Sequence, residues 1–162
     1  MVGAERPVVG VGVVVLRGND VLLVRRGEPP HKDRWSIPGG KQERGETVRD
    51  AAHREIREET GIEIALIGLV DVVDGIRRDE TGAAISHYTL IDFAAEWISG
   101  EPVAGDDAAE ARWTPLERLD GYRLWSETRR IIAAAAAMRD DARGRKGGSP
   151  ETLPPTAPGR QG

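Results

Sequence analysis

The chain has 162 residues, a length that suits one domain with a real hydrophobic core. Its net charge of −4 argues against general nucleic-acid binding, which calls for basic patches, so no nucleic-acid partner is expected. The absence of cysteine excludes disulfides, thiolate chemistry and a cysteine zinc site.

In chain order, Val8–Leu16 is a valine-rich run that predicts a buried strand. Arg17-Gly18-Asn19-Asp20 is a hairpin turn signal, and Val21–Arg26 is the expected partner strand. The run is too short to span a bilayer, and no small-residue cleavage site follows it. We therefore expect a cytoplasmic protein with no membrane partner. Gly27–Arg34 is a polar loop. In Trp35-Ser36-Ile37-Pro38-Gly39-Gly40, Pro38 has no N–H, and the paired glycines let backbone approach a ligand closely. A free carbonyl here could complete a metal site.

Gly45 then ends a loop, Glu46 is expected to start a helix at the positive end of its dipole, and Gly61 to close it as a left-handed cap. At the helical period the apolar stripe is Val48, Ala51, Ala52 and Ile56, and Glu55 and Glu59 continue it. Two glutamates thus point inward, and Glu58 lies at the edge of that face. Carboxylates at i, i+3 and i+4 converge on one side of a helix, and anions that are buried together need compensation. A divalent cation with oxygen ligands supplies it.

Further on, Ile62–Val73 reads as one or two strands, Asp74–Ala84 as a long charged loop, and Ile85–Ala95 as a strand. Gly100–Ala109 is an acidic loop, Ala111–Thr114 a short strand, and Leu124–Met138 a helix of high intrinsic propensity. From Arg139 the chain is rich in Gly, Pro and charge, which predicts disorder. The expected organisation is one domain over 1–138 and a disordered tail over 139–162.

Gly40, Glu46, Arg54-Glu55-Ile56, Glu58-Glu59 and Gly61-Ile62 match every fixed position of the Nudix box. Over about Pro7–Met138 the chain resembles a Nudix hydrolase. The resemblance implies an α/β/α sandwich around a central mixed sheet, with a loop-helix-loop catalytic motif. It also implies Mg²⁺- or Mn²⁺-dependent hydrolysis of a nucleoside diphosphate linked to another group. Homodimers are common in that family, so one is open here.

Hydrolysis of a pyrophosphate bond needs charge neutralisation, a positioned water and a base. The metal set expected is Glu55, Glu58, Glu59 and, by family position, the Gly39 carbonyl, with Arg54 and Glu46 orienting the loop and helix. Glu58, Glu59 and Glu110 are the catalytic candidates. Glu110 stands three residues before Trp113, a spacing that resembles a common Nudix arrangement, and Asp106 and Asp107 are further base candidates. Arg25, Arg26 and Arg34 flank the first long loop and Arg77 and Arg78 lie on the second; of these Arg25, Arg34 and Arg78 are the candidate phosphate or ribose contacts, and Trp35, with Tyr88, is a candidate stacking residue.

Segments at Val24–Pro29, Trp35–Gly40 and Gly100–Ala108 resemble the compact ADP-ribose pyrophosphatase-like subgroup. ADP-ribose, split to AMP and ribose 5-phosphate, is the leading expectation. A (d)NTP pyrophosphohydrolase, a nucleotide-sugar hydrolase and a non-catalytic nucleotide sensor are the alternatives.

Overall fold

The computed structural model describes residues 6–29, 31–105 and 107–145. Alternating apolar residues build seven strands and two helices. The strands are β1 (Val8–Arg17), β2 (Asp20–Arg26), β3 (Trp35–Ser36), β4 (Gly39–Lys41), β5 (Glu63–Arg78), β6 (Ala84–Ser99) and β7 (Ala108–Pro115). The helices are α1 (Val48–Thr60) and α2 (Ser126–Gly144), the latter preceded by a 3-10 segment at Leu116–Tyr122.

The strands form one mixed sheet in the order β3-β2-β1-β6-β5, with β4 added to β1 and β7 to β2. β1 and β6 run parallel, and the other pairs are antiparallel. Successive side chains of a strand face opposite ways, so each sheet face carries its own core. Val11, Val13, Val15, Leu22, Ile91 and Phe93 pack under Ala51, Ala52 and Ile56 of α1. Val14, Leu16, Val21, Leu23, Leu90 and Ala94 pack under Ile131, Ile132 and Ala135 of α2. The expected α/β/α sandwich is therefore the fold. Among the described residues no helix is long and apolar enough to cross a membrane.

Of the boundaries that differ from expectation, three have a clear physical cause. Asp74–Ala84 is not one loop: β5 continues to Arg78 and pairs with β6 out to Arg78↔Ala84, leaving a tight turn at 79–83. Asp79 makes that turn possible, because its carboxylate accepts from Thr81 N and Ala83 N. The helix start also moves. Thr47, not Glu46, is the cap of α1, its hydroxyl accepting from Asp50 N at 3.0 Å. Finally, α2 runs to Gly144, beyond the predicted start of disorder at 139. Arg139 is only 4% exposed and donates to the Gly18 carbonyl, tying that last part of the helix to the β1–β2 turn. Residues 146–162 of the expected tail lie outside the described residues.

Candidate active site

An open cleft of about 1240 Å³ crosses the end of the sheet, with Glu55, Glu58 and Glu59 of α1 on one wall. Gly61 at φ 73° closes α1. The loop 100–107 is then pinned to that helix end, Gly105 N donating to the Glu59 carbonyl at 2.9 Å and Val103 N to that of Thr60 at 2.9 Å. This brings Asp107 to the cleft, and its carbonyl accepts from Gly27 N at 2.8 Å.

Arg54 organises the carboxylates. Its Nε and Nη2 grip both oxygens of Glu46 at 2.9 and 2.6 Å, a bidentate fit. Its Nη1 reaches Glu55 at 2.8 Å and Glu58 at 3.1 Å, and Nη2 also donates to the Lys41 carbonyl. Glu46 additionally accepts from Glu43 N at 2.7 Å. The Arg54 hydrogen bond and that backbone N–H hold Glu46 at a pKa of about 2. Arg54 and Glu46 thus brace loop to helix.

Glu55 and Glu59 turn inward, as the helical register predicts. Gly40 is required for this: a Cβ there would lie 2.3–2.5 Å from the Glu55 carboxylate atoms. Glu59 accepts from Gly39 N at 2.9 Å. Burial raises its pKa to about 7, partly offset by the Gly39 N–H and by Arg26, with Glu55 and Asp107 adding repulsion. Among the described residues no three acidic or histidine side chains converge into a ready-made cage. Arg54 stands between Glu46, Glu55 and Glu58 instead. The donor set still fits a hard cation: carboxylate oxygens drawn together, one of them destabilised as an anion by its surroundings. Mg²⁺ characteristically takes one or two carboxylates and completes its shell with water and substrate phosphate.

The remaining candidates divide. Arg34 and Trp35 line the cleft. Trp35 is braced edge-on by Tyr122, with Arg112 over its ring. Arg25 and Glu110 do not line it. They are direct partners across β2 and β7, and β7 turns Glu110 and Arg112 away from the face on which Ala111 and Trp113 pack. There Glu110 accepts from Arg112 and lies 3.5 Å from Arg25, which also holds Asp33 at 2.7 Å. Arg78 is likewise turned away and donates to the Gly82 carbonyl.

Neighbours take the places of these residues: Arg26, His31 and Arg77 line the cleft. Burial, then Arg26, Arg34 and Arg77, lower the pKa of His31, so the three arginines share one cationic rim. Of the other base candidates, Asp107 faces the cleft and Asp106 lies outside the described residues. Asp92 and Trp125, which also line the cleft, had not been singled out from sequence. The available signal for Asp92 is a lone carboxylate inside the otherwise apolar run Leu90–Ala95.

A sheet sandwiched by two helices thus gathers inward carboxylates of α1 and a cationic rim in one cleft. The NUDIX domain family model matches residues 6–135. The chain belongs to the Nudix hydrolase family. It is 41% identical over 113 residues to the ADP-ribose pyrophosphatase of Methanocaldococcus jannaschii, covering 70% of this chain and 64% of that protein. It is 34% identical over 110 residues to the NAD-capped RNA hydrolase NudC of Pseudomonas aeruginosa, covering 66% of this chain and 36% of that one. The chain thus spans about two thirds of the first relative's length and about a third of the second's. A crystal structure of a MutT Nudix hydrolase from Burkholderia pseudomallei matches with a TM-score of 0.69 at 32% identity, covering 80% of this chain and 98% of that one.

Proposed function

We propose that this chain hydrolyses the diphosphate of ADP-ribose, giving AMP and ribose 5-phosphate. The observation that carries the reading is the Glu59–Gly39 contact at 2.9 Å beside Glu55, in a cleft that Arg26, Arg34 and Arg77 also line. One wall can hold cation, the other anion, and a diphosphate fits between them. The name of the archaeal relative at 41% identity favours ADP-ribose among diphosphates.

Glu55, Glu58 and Glu59, with the Gly39 carbonyl, are the groups that would hold Mg²⁺ or Mn²⁺. When bound, the ion neutralises phosphate charge and lowers the pKa of a coordinated water. The protein's own part is positional. Arg54 fixes the Glu55 and Glu58 oxygens. Glu58, whose side chain is 47% exposed, and Asp107 are the carboxylates open enough to orient a water and accept its proton. The water oxygen joins one phosphorus, the bridging P–O bond breaks, and two phosphate monoesters leave. The arginine rim holds the terminal oxygens, and Trp35 offers a planar face to a base or ribose.

A substrate panel with Mg²⁺ or Mn²⁺ tests this, comparing ADP-ribose, nucleotide sugars, NADH, dinucleoside polyphosphates and normal and oxidised (d)NTPs. ADP-ribose is expected to give the highest kcat/KM. A far higher value for any triphosphate would replace the reading, and binding of ADP-ribose without turnover would mark a sensor.

A further inference from the structure

Asp92 lies in β6 on the floor of the cleft and is 6% exposed. Among the described residues its carboxyl has no hydrogen bond or ion pair, and its oxygens open onto the cleft rather than lying fully enclosed. The fold makes room for it. Gly12 is its direct partner on β1, and a Cβ on Gly12 would stand 2.3 Å from Asp92 Oδ1 and 3.0 Å from Ile37 Cδ1. The nearby cation is engaged elsewhere: Arg130 binds Asp71 at 3.0 Å and Glu127 at 2.6 Å.

The metal wall does not account for it. Strand alternation sends Ile91 and Phe93 toward α1 and its glutamates, and sends Leu90, Asp92 and Ala94 to the α2 face. On that face the cleft is lined by Trp35, Ile37, Leu90 and Trp125, flat and apolar surface for a ring, beside the polar Arg123, Glu127 and Thr128.

We propose that Asp92 reads the nucleobase, its carboxylate accepting a hydrogen bond from an exocyclic amino group, so that the site prefers adenine to hypoxanthine. The inference rests on the reading of this cleft as a nucleotide site and names the group that selects the base. Burial, then Asp71 across the strands, raises the Asp92 pKa to about 6, with Arg130 opposing. At neutral pH the group is therefore an acceptor. An amino group satisfies it, whereas the carbonyl oxygen of hypoxanthine at the same position repels it and leaves it unpaired. A base-reading site that loses its partner in this way discriminates strongly.

The test is calorimetric binding of AMP and IMP to the full chain, a readout that needs no turnover. AMP is expected to bind roughly tenfold or more tighter than IMP, as for one hydrogen bond to a charged group. Asp92→Asn keeps the shape and adds an N–H donor, and should level or reverse that ratio while a thermal melt shows the fold retained. Equal affinities in the wild type, no binding of either nucleotide, or an equal loss of both in Asp92→Asn would overturn the proposal. The wild-type ratio decides even if the variant does not fold. Failure of ADP-ribose turnover with the AMP preference intact would remove the proposed substrate and leave base reading standing.

Discussion

Helices α1 and α2 cover opposite faces of one sheet, and both bury charge, to different ends. On α2 the buried ion is Arg139, whose guanidinium donates to the Gly18 carbonyl and to Asp140 at 3.2 Å. Its partners are protein groups, and it joins the helix to a turn. On α1, Glu59 sits buried in the wall of the open cleft and accepts from the Gly39 N–H, and on the α2 face of that cleft Asp92 has no such donor among the described residues. A buried ion supplied with donors or acceptors by its own fold holds structure. One left short of partners and facing a cleft is arranged for something that arrives.

The strongest way to break this comparison is Glu59→Gln. Activity should fall by roughly 10²–10³-fold in kcat, the scale for removing one charge-stabilising group. The melting temperature should hold or rise, because an unfavourable buried anion is gone. Near-normal kcat with Mg²⁺ would sink the metal assignment.

Next in size is the pH dependence of the metal-free protein. Folded Glu59 titrates at about 7 against an ordinary value of 4.5, so the folded state holds its proton more tightly than the unfolded chain. That stability is full below 4.5 and is lost as pH rises through about 7, on the order of 3 kcal/mol from the size of the shift. Asp92 contributes in the same sense between 3.8 and about 6. Glu46 acts oppositely: its depressed pKa gives stability that is lost as pH falls from 4.5 through about 2. Urea midpoints from pH 4.5 to 8 should show the decline, and Glu59→Gln should flatten it. An unchanged slope in that variant would place the titrating group elsewhere.

Arg139→Met probes the other helix. Loss of the charged donor that the buried Arg139 supplies to the Gly18 carbonyl should cost about 2 kcal/mol, a drop of roughly 4–8 °C in Tm for a chain of this size. kcat should be unaffected. Lost activity without lost stability would erase the distinction between the two helices.

The sheet, both helices and the inward turn of Glu55 and Glu59 were legible because periodicity reports burial, and burial is what the helix register decides. Arg25 against Arg26, and Arg78 against Arg77, were not. The register shifts between Arg25 and Arg26 and between Arg77 and Arg78, so simple alternation does not tell which of each pair enters the cleft, and charged residues on a rim carry no periodic signal. Glu110 failed for the same reason: β7 fixes which face it takes, and Arg25 and Arg112 then hold it there. The length of β5 was hidden because Asp74 to Arg78 look like loop residues, although cross-strand pairing with β6 keeps them extended. Arg139 looked like the start of a tail because its partner, Gly18, is 121 positions away in the chain.

The smallest effect expected is at Arg57, three residues after Arg54 on the same helix. Arg57 also forms a two-bond pair, with Glu63 at 2.7 and 3.0 Å. Its geometry rivals the Arg54–Glu46 pair, but the side chains are 59% and 46% exposed, against 21% and 16% for the inner pair. Water and salt screen the outer pair and solvate each partner once the other is gone, so Arg57→Ala should leave both the melting temperature and kcat nearly unchanged. Arg54 differs in what surrounds it: removing it would leave Glu46, Glu55 and Glu58 together with no guanidinium among them. Equal effects of Arg57→Ala and Arg54→Ala on kcat would show that the grip on the carboxylates, rather than the geometry of the bond, has been misjudged.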